Sequence, residues 1–159
     1  MTIWIDADSC PSSVRNHASK IANKNNIEIN FVANKEISVS EGLHRNMIIC
    51  EQVKDSADNY ILEHSKEYDL VITKDIIFAQ KLVEKGICAI NDRGTKFTSD
   101  SIKKLNSKSS LDMQLEAIGL VKHYNEGYDR KKFALFANCF DRELQKLLKE
   151  EKTTQLRQE

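Results

Sequence analysis

Five short apolar runs, most of them separated by amphipathic stretches, narrow what this chain can fold into. The runs are Ile3–Ile5, Ile27–Val32, Met47–Cys50, Leu70–Thr73 and Ile87–Ile90. They read as strands, and helical periodicity marks Pro11–Lys24, Ser56–Lys66 and Ile76–Lys85 between them. Alternation of this kind implies an α/β fold with a mostly parallel sheet covered on both faces. Only the second and third runs lack a helix-length segment between them. The polar stretch from Ala33 to Asn46, which contains Gly42, is expected to be a surface loop.

Beyond Asn91 the pattern changes. Asn91-Asp92-Arg93-Gly94 is a turn signal, and Thr98 or Ser99 would cap a short helix over Asp100–Leu105. Asn106-Ser107-Lys108-Ser109-Ser110 reads as a polar connector. A helix over Leu111–Ile118 would stop near Gly119. Another, Arg130–Lys149, places Phe133, Phe136, Ala137, Phe140, Leu144, Leu147 and Leu148 at core-facing spacing. Its 159 residues suit one domain, assigned to residues 1–150, with 151–159 a polar, disordered tail.

Charge constrains partners more than fold. With 24 Lys+Arg against 24 Asp+Glu, any nucleic-acid binding needs a local basic patch. Cys10, Cys50, Cys88 and Cys139 form no CxxC pair, which argues against a zinc knuckle and fits free thiols in a reducing cytosol. No leader or 18-residue apolar run is present, so a cytoplasmic protein is expected.

Acids gather where strands give way to helices. Asp6 and Asp8 follow the first strand, just before Pro11, a residue suited to the first helical position. Asp55 and Asp58 follow the third strand and share one helix face, and Asp75 follows the fourth. In a parallel sheet these ends share one edge, where open α/β folds bind ligands. Asp is also a favoured N-cap, so Asp55 and Asp75 have a simple structural reading. The whole set favours a divalent hard cation, Mg²⁺ or Mn²⁺, because zinc prefers histidine or thiolate. Such a site suits hydrolysis of a phosphodiester or phosphomonoester by metal-activated water. Arg93 could then hold a phosphate oxygen, with Asn91 and Thr73 beside it.

The motifs Asp6-Ala7-Asp8-Ser9-Cys10-Pro11, Asp55-Ser56-Ala57-Asp58, Thr73-Lys74-Asp75-Ile76, Asn91-Asp92-Arg93-Gly94 and Phe136-Ala137-Asn138-Cys139-Phe140-Asp141-Arg142 occur in that order. Together they resemble the YaiI/YqxD family of uncharacterised bacterial proteins, related to PIN-domain-like nucleases. The resemblance reaches to about Leu148. It implies a three-layer α/β/α PIN-like domain with catalytic carboxylates Asp6, Asp8, Asp58 and Asp75. The implied metal set is those four with Asp55, and the implied substrate is RNA or single-stranded nucleic acid. The chain departs from the family pattern at Ile77, Asp92 and Glu116.

Two other classes compete. Asp6-x-Asp8 also resembles the first motif of haloacid-dehalogenase phosphatases, with Asp6 as nucleophile, Asp8 as general acid, and Thr73 with Lys74 or Lys81 in supporting roles. Against it, Cys10 stands where Thr or Val is expected, and no later Asp-Asp pair exists. Alternatively the domain binds RNA or a protein without turnover. Lys103, Lys104, Lys108, Lys122 and Arg130-Lys131-Lys132 would meet backbone, and Tyr124 and Tyr128 would stack. Cys10 and Arg15 are one residue short of a tyrosine-phosphatase loop, so Cys10 reads as a small hydrophobe. His17, His44, His64 and His123 show no metal-ligand spacing.

Overall fold

A computed structural model describes residues 1–8, 10–38, 45–119 and 127–159. In chain order the elements are β1 (Thr2–Asp6), α1 (Ser12–Lys24), β2 (Glu28–Ala33), β3 (Arg45–Ile49) and α2 (Ser56–His64). They continue with β4 (Leu70–Ile72), α3 (Ile76–Lys85), β5 (Cys88–Ile90), α4 (Ser99–Ala117) and α5 (Arg130–Gln158). The five strands form one sheet in the order β3-β2-β1-β4-β5, and every pairing is parallel. The α/β expectation therefore holds.

Alternation along each strand divides the core in two. Ile3, Ile5, Ile29 and Phe31 point to one face, where they meet Val14 and Ala18 of α1 and Phe136, Phe140 and Leu144 of α5. Trp4, Val32, Val71 and Ala89 point to the other, against Ile61 of α2, Phe78 and Leu82 of α3 and Ile102 of α4. Burying a Phe, Ile or Leu side chain stabilises a fold by roughly 1.5–3 kcal/mol, so both faces contribute heavily. Chain direction follows from this packing. Helices α1, α2 and α3 all begin at the carboxyl edge of the sheet, which concentrates their positive ends there.

Several boundaries differ from the sequence reading. Asn106–Ser110 is not a connector: α4 runs through it without a break. The segment has no Pro or Gly, and Asn and Ser each cost a helix well under about 1 kcal/mol. The chain beyond Glu150 is not a frayed tail, because α5 continues to Gln158. Two contacts hold that extension. The Met1 ammonium pairs with Glu151 Oε1 at 2.7 Å, and the Tyr68 hydroxyl lies 2.9 Å from Thr154 Oγ1. Pro11 is the N-cap of α1 and not its first helical residue. Part of the Ala33–Asn46 loop, including Gly42, lies outside the described residues, as do His44, Lys122, His123 and Tyr124. Among the described residues no helix is long and apolar enough to cross a membrane.

Candidate metal centre

The winding of the chain reverses at β1. β2 and β3 are laid on one side of it, then β4 and β5 on the other. A reversal of this kind opens a crevice at the carboxyl ends of the two central strands, here β1 and β4. Asp6 ends β1 and Thr73 follows β4. Buried Thr73 joins the two ends: its hydroxyl donates to Asp6 Oδ2 at 3.0 Å and accepts from the Asp75 N–H at 3.1 Å. One side chain thus sets the position of two acids.

Asp75 is the N-cap of α3, and its Oδ1 accepts from the Phe78 N–H at 3.0 Å. That bond leaves lone pairs on the second oxygen, so capping and cation binding are compatible. Asp55 differs. It occupies the N-cap position of α2 but makes no side-chain cap bond, and its backbone is left-handed at φ 62°. A non-glycine residue there is uncommon, though Asp tolerates it better than most. The preceding loop is pinned by Ser56, whose hydroxyl lies 2.6 Å from the Glu51 carbonyl oxygen and 2.9 Å from Asn34 Oδ1, with one proton to share between them. Asp58 follows one turn into α2.

These elements bring Asp55, Asp58 and Asp75 together, each with an oxygen within 4.8 Å of the others. Hard cations take carboxylate oxygens at about 2.0–2.6 Å, so one ion between the three fits that spread. The group lines an open cleft of about 140 Å³ with Lys54 and Lys81 on its rim. Asp6 stands outside this trio but is coupled to it by charge. Burial pushes the Asp58 carboxyl up to about 7, and the neighbouring charges of Asp6, Asp75 and Asp55 push the same way against Lys81. Burial also raises Asp6, a Thr73 hydrogen bond lowers it, and Asp8 and Asp75 raise it further. Crowded carboxylates of this sort can be relieved by protonation or by a cation.

The remaining candidates have other local duties. Both Asp8 oxygens accept from the Asn34 N–H, at 2.9 and 3.1 Å, which ties the segment after β1 to the end of β2. Asn91 is buried, and its Oδ1 accepts from the N–H groups of Arg93 and Thr95 at 3.0 and 2.9 Å, building the turn after β5. Gly94 completes that turn at φ 82°; a Cβ there would come within 2.4 Å of the Leu135 carbonyl oxygen. Arg93 is exposed, and its guanidinium makes no hydrogen bond or ion pair among the described residues. Burial pushes the Cys10 thiol up to about 12, so it is no nucleophile. The Tyr128 hydroxyl is engaged, donating to the Asp92 carbonyl at 2.7 Å.

Sequence reasoning missed Asn34, which anchors Asp8, and gave no role to Asp92. Asn34 lies in a segment read as loop, with no motif to mark it. Asp92 carried the one available signal, an acid beside a turn arginine.

Comparison with known proteins places these residues in context. The model of the family described as "Uncharacterized BCR, YaiI/YqxD family" matches residues 4–146, most of the chain. The chain belongs to the YaiI/YqxD family. Its relatives include a UPF0178 protein of Treponema denticola, 41% identical over 94% of this chain and 96% of that protein. Another, from Psychromonas ingrahamii, is 38% identical over 94% of this chain and 99% of its own length. A third, from Treponema pallidum, is 36% identical over 94% and 84% respectively. No solved structure matches this YaiI/YqxD chain.

Proposed function

We propose that this YaiI/YqxD protein is a PIN-like nuclease that hydrolyses phosphodiester bonds of RNA, or of another single-stranded nucleic acid, with Mg²⁺ or Mn²⁺. The observation that carries the reading is the convergence of Asp55, Asp58 and Asp75 oxygens within 4.8 Å at the crevice of a parallel sheet. An all-carboxylate, solvent-open donor set fits a hard divalent cation that keeps part of its water shell. When bound, such an ion supplies an activated water and charge for the leaving oxygen.

The chain's own residues supply the frame. Thr73 fixes Asp6 against Asp75, and the Asp75 cap holds its carboxylate at the start of α3. Asp58, in the first turn of α2, supplies the third carboxylate of the donor set. Exposed Arg93, on the neighbouring cleft, would receive a phosphate oxygen. A phosphatase using Asp6 as nucleophile fits less well. Its general acid would be Asp8, whose oxygens both face the Asn34 N–H.

The test is cleavage of single-stranded RNA with Mn²⁺, with Mg²⁺ and with chelator. Activity should require the ion, and Asp58→Asn should lower it about 10²-fold or more. Cleavage that survives chelation or Asp58→Asn would refute the metal reading. Hydrolysis of an aryl phosphate with RNA left intact would favour the phosphatase.

A further inference from the structure

A second cleft, of about 260 Å³, lies across the first turn of α3 from the acidic trio. Residues 74–77 form the wall between them: Lys74 and Ile76 line the second cleft, Asp75 and Ile77 the first. Asn91, Asp92, Arg93, Phe97 and Leu105 complete the second. Its volume equals roughly nine water molecules, enough for a sugar and its phosphate but not for a duplex.

Asp92 is the unusual member. Its side chain is 5% exposed, yet its carboxylate accepts no hydrogen bond among the described residues. Its nearest cation, Lys74 Nζ, stands 3.9 Å away. The turn itself does not need this carboxylate, because the Tyr128 hydroxyl holds the Asp92 carbonyl and Asn91 holds the following N–H groups. Its oxygens keep a little solvent contact within the cleft, so a ligand that brings donors can take the place of water there.

The lining narrows what that ligand can be. Lys74 and Arg93 disfavour a cation, and Asp92 disfavours a bare anion. A fitting molecule offers an anion to the basic pair, hydroxyl or amino donors to Asp92, and an apolar surface to Ile76 and Leu105. A nucleotide has all three. Carboxylates recognise ribose through its hydroxyls, and the 2′-hydroxyl separates RNA from DNA.

We propose that this cleft is a ribonucleotide subsite in which Asp92 accepts from the ribose 2′-hydroxyl while Lys74 and Arg93 hold the adjoining phosphate. The subsite deepens the nuclease reading above and would set the preference for RNA.

The experiment compares labelled uridine and deoxyuridine hexamers by fluorescence anisotropy in chelator, where nothing is cleaved. The ribose hexamer should bind roughly five- to tenfold more tightly. Asp92→Ala should bring the ratio to about one, as should Leu105→Trp, which fills the cleft. Arg93→Ala should weaken both hexamers alike and reduce the salt slope by about one. Equal binding of the two sugars, binding of neither, or an unchanged ratio in Asp92→Ala overturns the proposal. So does a preference that follows guanine against uracil and ignores the sugar. If the sugar ratio holds but Mn²⁺ gives no cleavage, the nuclease reading falls and the subsite stands. If cleavage holds and the ratio is one, the subsite alone falls.

Discussion

The Asp58 carboxyl sits near 7 because of burial first and then the charges of Asp6, Asp75 and Asp55. The folded protein therefore holds that proton more tightly than the unfolded chain, where an aspartate titrates near 3.9. The stability this gives is fully present below about pH 4 and is lost as pH rises to about 7. Asp58→Asn removes the ionisable group, so it should raise Tm at pH 8 in chelator, by about 2–4 °C for each kcal/mol relieved. At pH 4 the same substitution should leave Tm nearly unchanged. A lower Tm at pH 8 in thermal melts would mean that Asp58 has an undetected favourable partner. The acids themselves were legible, since aspartates at strand ends of a parallel fold must share one edge. Which acids meet was not. That Asp8 turns to Asn34 depends on a backbone N–H 26 positions away, and no residue pattern encodes it.

Helix α3 shows how one element combines stability with chemistry. Asp75 caps the helix and also contributes an oxygen to the trio. The two duties separate by substitution. Asp75→Ala should lose the cap and about 1 kcal/mol in chemical denaturation. Asp75→Asn keeps an oxygen acceptor for the Phe78 N–H, so stability should stay close to the native value while Mn²⁺ affinity falls. Equal destabilisation by both variants would argue that charge, not the hydrogen bond, holds the helix start. Elements whose apolar residues face the core were readable almost to the residue, as with Ile76–Lys85. α4 was not. Its second half has no buried residue, so burial gives Asn106–Ser110 no periodic mark. Its turn-like composition then suggests a break that the backbone has no need to make.

Across the whole molecule, α5 joins the two edges of the sheet. Leu135 packs near the Gly94 turn at the carboxyl edge, and Glu151 and Thr154 reach Met1 and Tyr68 at the amino edge. Removing residues 151–159 strips the partly buried Met1 ammonium of its carboxylate. Loss of about 1–3 kcal/mol of stability is expected, the usual cost of breaking a hydrogen bond to a charged group. An unchanged denaturation midpoint would show that the extension adds nothing. The polar sequence of this stretch concealed its role, because its partners are the first residue of the chain and a tyrosine far from it in sequence.

The exposed half of α4 also bears on how unfolding looks to different probes. The chain has one tryptophan, Trp4, buried in the core and donating to Asp69 Oδ2 at 3.0 Å. Its fluorescence reports the loss of the core around β1 and α2. Far-ultraviolet ellipticity counts every helical peptide, including those of residues 106–117, a stretch with no fully buried side chain. On heating, ellipticity should begin to decline before the emission of Trp4 shifts, and the two curves should not superimpose. A melting temperature read from one signal alone would then describe only part of the molecule.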